Sequence, residues 1–91
     1  MLPIRWRQSA LDDFARITEY IAQRDPKATR RLGFRVKDAL TQASFHPLLF
    51  CAGRVEGTRE ITAHPNYIVV YQVLESGIDV LAILHARQEY P

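Results

Sequence analysis

Eight side chains that could take part in acid–base or anion-binding chemistry lie together in the second half of this chain, on or beside three apolar segments. They comprise two histidines, three tyrosines, two arginines and a glutamate: Arg59, Glu60, His64, Tyr67, Tyr71, His85, Arg87 and Tyr90. Cleavage of RNA needs a base for the 2′-hydroxyl, an acid for the leaving oxygen and a cation for the phosphorane. A histidine as base, Glu60 or Tyr90 as acid and an arginine as cation would meet that need.

The same residues also have ordinary structural explanations, and the sequence leaves both open. A histidine directly before Pro65 suits a turn, and the two strand tyrosines suit sheet packing. Neighbours in a strand point to opposite faces, so Arg59 and Glu60 cannot belong to one site. Arg87 follows a long apolar run, where a cation can be held rigidly.

Basic charge is concentrated in the first half of the chain. Residues 1–45 carry nine basic and five acidic side chains, whereas residues 46–91 carry three basic and five acidic ones and no lysine. Because phosphate contacts dominate affinity for nucleic acid, this distribution disfavours a nuclease site in the second half. We expect no direct DNA binding by the chain alone. The basic first half suits an acidic protein partner instead.

Length and composition bound the class of protein. Ninety-one residues suffice for one small domain, expected over residues 1–91. No apolar run approaches the roughly 18 residues of a membrane span, and the first ten residues lack a signal-peptide core, so we expect a cytoplasmic protein without membrane contact. With Cys51 as the one cysteine, three scattered histidines and no glycine-rich phosphate loop, neither a metal site nor a cofactor is expected.

The first twenty-five residues predict a strand and a helix. LPIRW alternates apolar and polar positions, as in a half-buried strand. A helix is predicted to begin at Ser9, with Asp12 completing a capping box. Its apolar stripe consists of Leu11, Phe14, Ile17 and Ile21.

A second helix is predicted immediately afterwards. Asp25 suits its N-cap, and Pro26 suits its first position, where no backbone N–H is needed. Its apolar stripe consists of Leu32, Val36, Ala39, Leu40 and Ala43. Two helices joined this tightly form an antiparallel hairpin, and both stripes need a sheet to cover them.

The remaining residues predict a connector and three strands. The connector residues Phe45, Leu48, Leu49 and Phe50 are too apolar for a free loop and are expected to pack on the core. The strands TREITA, YIVVYQVL and IDVLAILH are separated by the turns HPN and ESG. The predicted fold class is therefore α+β, in the order β-α-α-β-β-β: an N-terminal strand, a helix hairpin and a three-stranded antiparallel sheet. The second face of this sheet is either covered by the connector or forms a binding surface.

This layout resembles the RelE/ParE superfamily of toxins from type II toxin–antitoxin modules, over nearly the whole chain. The resemblance rests on Trp6 followed by SALDDF, on YIAQRDPKAT, on HP in the connector, on GRVEGTREI and HPNYIVVYQV, and on ILHARQEYP. Each motif alone is common, but their order and spacing are specific. The match is closest to ParE-like members.

The resemblance implies the fold derived above and a protein partner. An antitoxin would hold the toxin inactive by laying a helix or an extended segment into an apolar groove at the helix hairpin and sheet. An acidic, partly disordered antitoxin would suit the basic helices. The residues expected to contact it are Leu11, Phe14, Arg31, Phe34 and Arg35.

The resemblance also implies a cellular target. ParE-like members act on DNA gyrase without a hydrolytic site, whereas RelE-like members cut mRNA in the ribosome with arginines, lysines and a C-terminal aromatic residue. Arg59 and Arg87 match the RelE-type arginines, but the lysines of that site are missing. We therefore expect gyrase as the target, Arg59 and Arg87 as target-binding residues, and no catalytic set.

Two alternatives to gyrase binding stay open at this point. One is a ribosome-dependent mRNA endonuclease that uses Arg59, His85, Arg87 and Tyr90. The other is a degenerate toxin whose remaining role is to bind its antitoxin and tune transcription.

Overall fold

The computed structural model describes residues 1–90; Pro91, the last residue of the predicted domain and of the motif ILHARQEYP, lies outside the described residues. The elements are β1 (Ile4–Trp6), α1 (Gln8–Ala22), α2 (Pro26–Phe45), β2 (Cys51–Ala52), β3 (Arg59–His64), β4 (Tyr67–Leu74) and β5 (Gly77–His85). The α+β class and the element order are confirmed, with one additional short strand, β2, inside the predicted connector. Neither helix of residues 1–90 is long and apolar enough to cross a membrane.

All five strands form one sheet in the order β1-β5-β4-β3-β2. The pairs β2–β3, β3–β4 and β4–β5 are antiparallel, whereas β1 runs parallel to β5, with Trp6 opposite Val80. We call the side that carries Val69 and Tyr71 the helix face, because those residues share a core with both helices, and the other side the outer face. The predicted turns lie between β3 and β4 and between β4 and β5.

The start of α1 differs from the prediction. The helix begins at Gln8 with Arg7 as N-cap, and no side chain caps it. The Ser9 hydroxyl donates to the carbonyl of Leu81 at 2.9 Å, and Asp12 accepts from the side chain of Gln8 at 2.9 Å. The predicted capping box is therefore wrong, because Ser9 bonds to the sheet rather than to its own helix.

Side chains of α1 protect the free part of the β5 edge. β1 pairs with β5 only from Ile78 to Val80. Beyond that point, Ser9 binds the carbonyl of Leu81, and the Asp13 carboxylate accepts a hydrogen bond of 3.1 Å from the amide of Ile83. The carbonyl of Leu81 and the amide of Ile83, which could otherwise pair with an added strand, are thus hydrogen-bonded within the chain.

The second helix follows its prediction closely. The Asp25 carboxylate accepts hydrogen bonds from the amides of Lys27 and Ala28, and Pro26 occupies the first turn. Every member of the predicted stripe is buried against the helix face: Leu32, Val36, Ala39, Leu40 and Ala43. The local cap and the 3.6-residue period together are sufficient to place this helix.

The outer face of the sheet is covered at its centre by the residues that follow β5. Ile68, Val70 and Leu84 form a second buried cluster, and Tyr90 packs against it. The amide of Ala86, the first residue after β5, donates to the carbonyl of Asn66 at 2.8 Å. The C-terminal segment therefore covers the face for which the sequence offered the connector or a partner.

The connector itself behaves differently from the prediction. Phe50 packs on the core, with its ring edge-on to Tyr71 at 6.5 Å. Phe45, Leu48 and Leu49 are instead 58%, 67% and 68% exposed. The expectation that all four cover the core is wrong for these three, because the buried side of the connector is taken up by Phe50 and by backbone contacts.

Candidate functional site

An apolar groove opens where β1, the first half of α1 and the second half of α2 meet. Its volume is about 440 Å³, and it is lined by Ile4, Trp6, Phe14, Gly33, Val36, Lys37, Leu40 and Thr41. The rings of Trp6 and Phe14 lie 5.6 Å apart and form part of its wall. A mostly apolar groove with a lysine at its border suits an amphipathic protein segment better than a small polar metabolite.

Two of the residues expected to contact an antitoxin adjoin this groove without lining it. Leu11 lies one turn before Phe14 on α1 and is 45% exposed. Phe34 is 78% exposed and lines a neighbouring depression with Arg30, Gly33 and Lys37. Because Gly33 and Lys37 border both depressions, the groove and the Phe34 surface are continuous.

The other two predicted contact residues lie on a different flank of α2. Arg31 forms an ion pair with Asp25 at 3.7 Å, and together with Arg35 it is close enough to His64 to affect its protonation. The structure thus brings Leu11, Phe14 and Phe34 towards one surface and places the two arginines beside the end of β3.

That end of the sheet carries a row of three rings. The ring of Tyr67 lies 5.7 Å from His64 and 5.6 Å from His85. Nδ1 of His64 accepts from the amide of Asn66, and Nδ1 of His85 accepts from the amide of Arg87. Since Nδ1 is the acceptor in both rings, each neutral imidazole carries its proton on Nε2.

The position of His64 depends on an irregularity in β3. Strict alternation would place it on the same face as Glu60, but the register shifts between Thr62 and His64. The shift brings the ring against Tyr67, which belongs to the helix face. Burial, and then the positive charges of Arg35 and Arg31, lower the pKa of His64 below its ordinary value of 6.5.

The side chain of Arg59 binds the backbone of the connector. Its Nη1 donates to the carbonyl oxygens of Phe50 at 2.7 Å and Leu48 at 3.3 Å. The neighbouring Tyr71 hydroxyl donates to the carbonyl of Pro47 at 2.8 Å. Burial raises the pKa of Tyr71, although the charge of Arg59 opposes the shift. These contacts explain Arg59 as a residue that fixes a loop.

The four residues of the endonuclease alternative do not meet in one place. Arg59 lies opposite Tyr71, and His85 lies opposite Tyr67, four residues away on β4, which is roughly 13 Å at 3.3 Å per residue. Tyr90 packs on the outer face against the cluster of Ile68, Val70 and Leu84. Arg87 is exposed at the end of β5, and its amide bonds to His85.

Cations on the outer face have carboxylate partners. Arg5 and Arg7 flank the buried Asp79 at 3.2 and 3.6 Å. Arg54 lies 3.7 Å from Glu60, which also accepts from the Arg54 amide at 2.8 Å, and Nη1 of Arg54 donates to the carbonyl of Gln88. Within residues 1–90, no group of three or more His, Cys, Asp or Glu side chains is placed to hold a metal ion.

Most lining residues of the groove were not singled out from the sequence as functional. Trp6, Val36 and Leu40 looked like ordinary core residues, because periodicity cannot distinguish a covered apolar face from an open one. The one local signal was Gly33, a glycine in a helix interior, where the residue is unfavourable without a special reason.

Comparison with known proteins agrees with this fold. Residues 4–90 match the family model described as the ParE toxin of a type II toxin–antitoxin system, parDE. Y4kP of Sinorhizobium fredii is 33% identical over 89 residues, covering 97% of this chain and 92% of that protein. The toxin RelE2 of Caulobacter vibrioides is 31% identical over 90 residues, covering 97% and 99%.

Solved structures show the same architecture at low identity. A chain of the chromosomal ParDE toxin–antitoxin system from P. aeruginosa superposes with a TM-score of 0.78 at 16% identity, covering 93% of this chain and 96% of that one. The YoeB dimer from Staphylococcus aureus gives a TM-score of 0.68 at 16% identity, covering 98% of both chains. With the family model spanning nearly all described residues, this chain belongs to the ParE toxin family of type II toxin–antitoxin systems.

Proposed function

We propose that this toxin inhibits growth by binding DNA gyrase rather than by cutting RNA, and that an antitoxin neutralises it at the groove between β1, α1 and α2. The division of the candidate RNA-cleaving residues between the two faces of the sheet supports binding as the mode of action. A hydrolytic site needs its base, acid and cation within hydrogen-bond reach of one phosphate, whereas Arg59 and Tyr90 face opposite sides.

The distribution of charge supports the same proposal. The arginines of the outer face already neutralise carboxylates, as Arg5 and Arg7 do with Asp79. RNA binding needs cations that can release counterions from phosphates, and paired arginines contribute less to that exchange. A protein target does not depend on such a surplus of charge.

The groove and the helix beside it support neutralisation by an antitoxin. The walls of the groove are mostly apolar. The helix α2 carries five basic residues and one acidic residue. One of the basic residues, Arg31, forms an ion pair with the N-cap residue Asp25. An amphipathic segment with acidic flanks would satisfy both features. The solved structures of similar fold include the ParDE toxin–antitoxin system from P. aeruginosa and a YoeB–YefM complex from Staphylococcus aureus.

A supercoiling assay tests the target. Purified toxin added to gyrase and relaxed plasmid should inhibit supercoiling at micromolar concentration. Arg87→Gln should weaken inhibition, because Arg87 is an exposed cation with no structural ion pair in residues 1–90. Arg24→Gln is the matched control, since Arg24 is likewise an exposed arginine and its guanidinium lies over the Tyr20 ring. Unimpaired supercoiling at all concentrations would eliminate gyrase.

Filling the groove tests the antitoxin site. A Cβ at Gly33 meets no atom within 4 Å, so Gly33→Leu adds bulk to the groove wall without disturbing the core. We expect the antitoxin encoded beside this toxin to bind Gly33→Leu at least tenfold more weakly, with Gly33→Ala close to wild type. Equal affinity for all three chains, measured by calorimetry, would place the antitoxin elsewhere.

A ribosome-dependent endonuclease is the second candidate, and the row of His64, Tyr67 and His85 favours it. Two imidazoles whose Nδ1 atoms accept backbone amide hydrogens flank a tyrosine, and Arg31 and Arg35 lie near His64. Toxin-dependent cleavage of a reporter mRNA during translation, lost in both His85→Gln and Arg87→Ala, would establish this candidate in place of gyrase binding. Harmless expression without the antitoxin would instead indicate a degenerate toxin.

A further inference from the structure

A second exposed apolar surface lies between α2 and β2, apart from the groove. Phe45, Leu48 and Leu49 are each more than half exposed, and with His46 and Pro47 they surround a concavity of about 490 Å³. We call these five residues the loop surface. Clustered large apolar side chains on a small protein indicate a place where another molecule binds.

The loop surface is held in a defined position from beneath. Arg59 donates to the carbonyls of Leu48 and Phe50, and Tyr71, which is fully buried, donates to that of Pro47. The backbone is therefore fixed while the side chains of Leu48 and Leu49 point to solvent. A surface fixed before binding loses little conformational entropy when it binds.

The loop surface continues into an open edge of the sheet. β2 is the terminal strand and pairs only with β3, through Cys51 and Ala52. Both residues are exposed, and the edge carries no proline or charged side chain of the kind that usually blocks strand addition.

We infer that the loop surface and the β2 edge form a symmetric contact between two copies of this chain. The nine residues from Phe45 to Gly53, FHPLLFCAG, contain no Asp, Glu, Lys or Arg. A surface without charge complements another uncharged surface, and a second copy presents one by symmetry. An acidic partner finds its complement on the basic face of α2 instead.

The area available fits a weak dimer. The exposed fractions of Phe45, Leu48 and Leu49 correspond to about 400 Å², the size of a functional patch on a small protein. Adding His46, Cys51 and Ala52 gives roughly 600 Å² per copy, or ~1,200 Å² in a pair, at the lower limit for specific interfaces. The dimer should therefore dissociate on dilution to low micromolar concentration.

The two-residue edge also sets the geometry of the pair. In antiparallel pairing of β2 with β2 of the second copy, the symmetry axis passes beside Cys51 and Ala52. Strand spacing and rise then place the two Cys51 thiols within roughly 10 Å of each other, on the same side of a continuous sheet. An exposed, unpaired Cys51 makes this arrangement directly testable.

Sedimentation of the purified full-length chain over a range of concentrations, without antitoxin or gyrase, tests the dimer. Wild type should shift from monomer to dimer as concentration rises, and a short bis-maleimide should join two chains through Cys51. The double variant Leu48→Glu, Leu49→Glu should weaken association by roughly a hundredfold or more, because it brings four carboxylates into one contact. Tyr20→Glu, which changes an aromatic residue of similar exposure on α1, should dimerise like wild type.

Three results would overturn the inference: a wild-type monomer at the highest concentration, a dimer insensitive to the double variant, or cross-linking that persists in it. Since Leu48 and Leu49 are exposed, the double variant should keep the melting temperature of wild type, which circular dichroism verifies. Protection of Leu48 and Leu49 by added antitoxin in a monomeric toxin would assign the loop surface to the antitoxin and refute the dimer. Failure of gyrase inhibition would leave this experiment unaffected.

Discussion

The guanidinium of Arg59 donates a hydrogen bond of 2.7 Å to the carbonyl oxygen of Phe50. This contact joins the first residue of β3 to the loop before β2, so the arginine positions the connector backbone. A cation used in this way has less freedom to approach a phosphate or a target carboxylate, which is why its role as a target-binding residue stays a prediction.

Removal of these donors should destabilise the connector. Arg59→Leu leaves the carbonyls of Leu48 and Phe50 to water, and we expect it to lower the free energy of unfolding by about 1–2 kcal/mol, measured in urea. Hydrogen exchange should accelerate between residues 47 and 52. Arg87→Gln, at an exposed position, should change stability by less than about 0.5 kcal/mol; equal losses in the two variants would contradict a loop-fixing role.

Replacement of Gly33 by alanine should stabilise the protein. The residue lies inside α2, its φ is ordinary for a helix, and an added Cβ meets open space. We expect Gly33→Ala to raise the free energy of unfolding by about 0.5–1 kcal/mol through lower entropy of the unfolded chain and better helix propensity. A lower melting temperature for Gly33→Ala would contradict the open space beside Gly33.

Gly77→Ala should have the opposite effect. Gly77 has φ +145°, and a Cβ there would collide with the carbonyl oxygen of Pro3, which accepts the amide hydrogen of Ile78 at 2.8 Å. We expect a loss of more than about 1 kcal/mol, because both the β4–β5 turn and the contact with β1 are disturbed. Gly57→Ala, at φ +83° with open space around it, should cost less; the reverse order would contradict the close approach of Pro3.

The imidazole of His64 should titrate below 6.5. Its pKa is lowered by burial and by Arg35 and Arg31, so the unfolded chain binds this proton more readily than the folded one. Stability therefore falls as the pH drops from 6.5 towards the folded pKa, and His64→Gln should remove that part of the dependence. An NMR titration should show the pKa rising in Arg35→Gln and unchanged in Arg30→Gln; a wild-type value above 6.5 would refute this assignment.

Features with a local cause were predicted correctly. Asp25 and Pro26 place the start of α2 through a cap and a missing N–H that involve only neighbouring residues. The stripe of α2, the α1 residues Phe14, Ile17 and Ile21 and the alternation of β1 follow from fixed periods, and the turns before β4 and β5 follow from Pro, Asn and Gly. Leu11, the fourth predicted member of the α1 stripe, is instead 45% exposed, and Ala10 is the buried residue of that helix. The family followed from the order of motifs along the chain, and the family model confirms it.

Features that depend on distant partners were missed or wrong. Ser9 looked like a cap because the carbonyl of Leu81, 72 residues away, is invisible in the local pattern. The face on which His64 lies does not follow from simple alternation, because the register shifts between Thr62 and His64. The exposure of Leu48 and Leu49 was missed because hydropathy records a preference for burial, not whether a neighbour is there to provide it.

The sequence by itself determined the helices, the apolar strands, the segregation of basic charge and membership of a toxin family, since each depends on residue types at short spacings. The tertiary structure alone decided which apolar surfaces remain exposed to solvent and which arginines already bind carboxylates or backbone carbonyls. Both depend on side chains far apart along the chain, so the division of Arg59 and Tyr90 between opposite faces becomes visible only once the strands are paired.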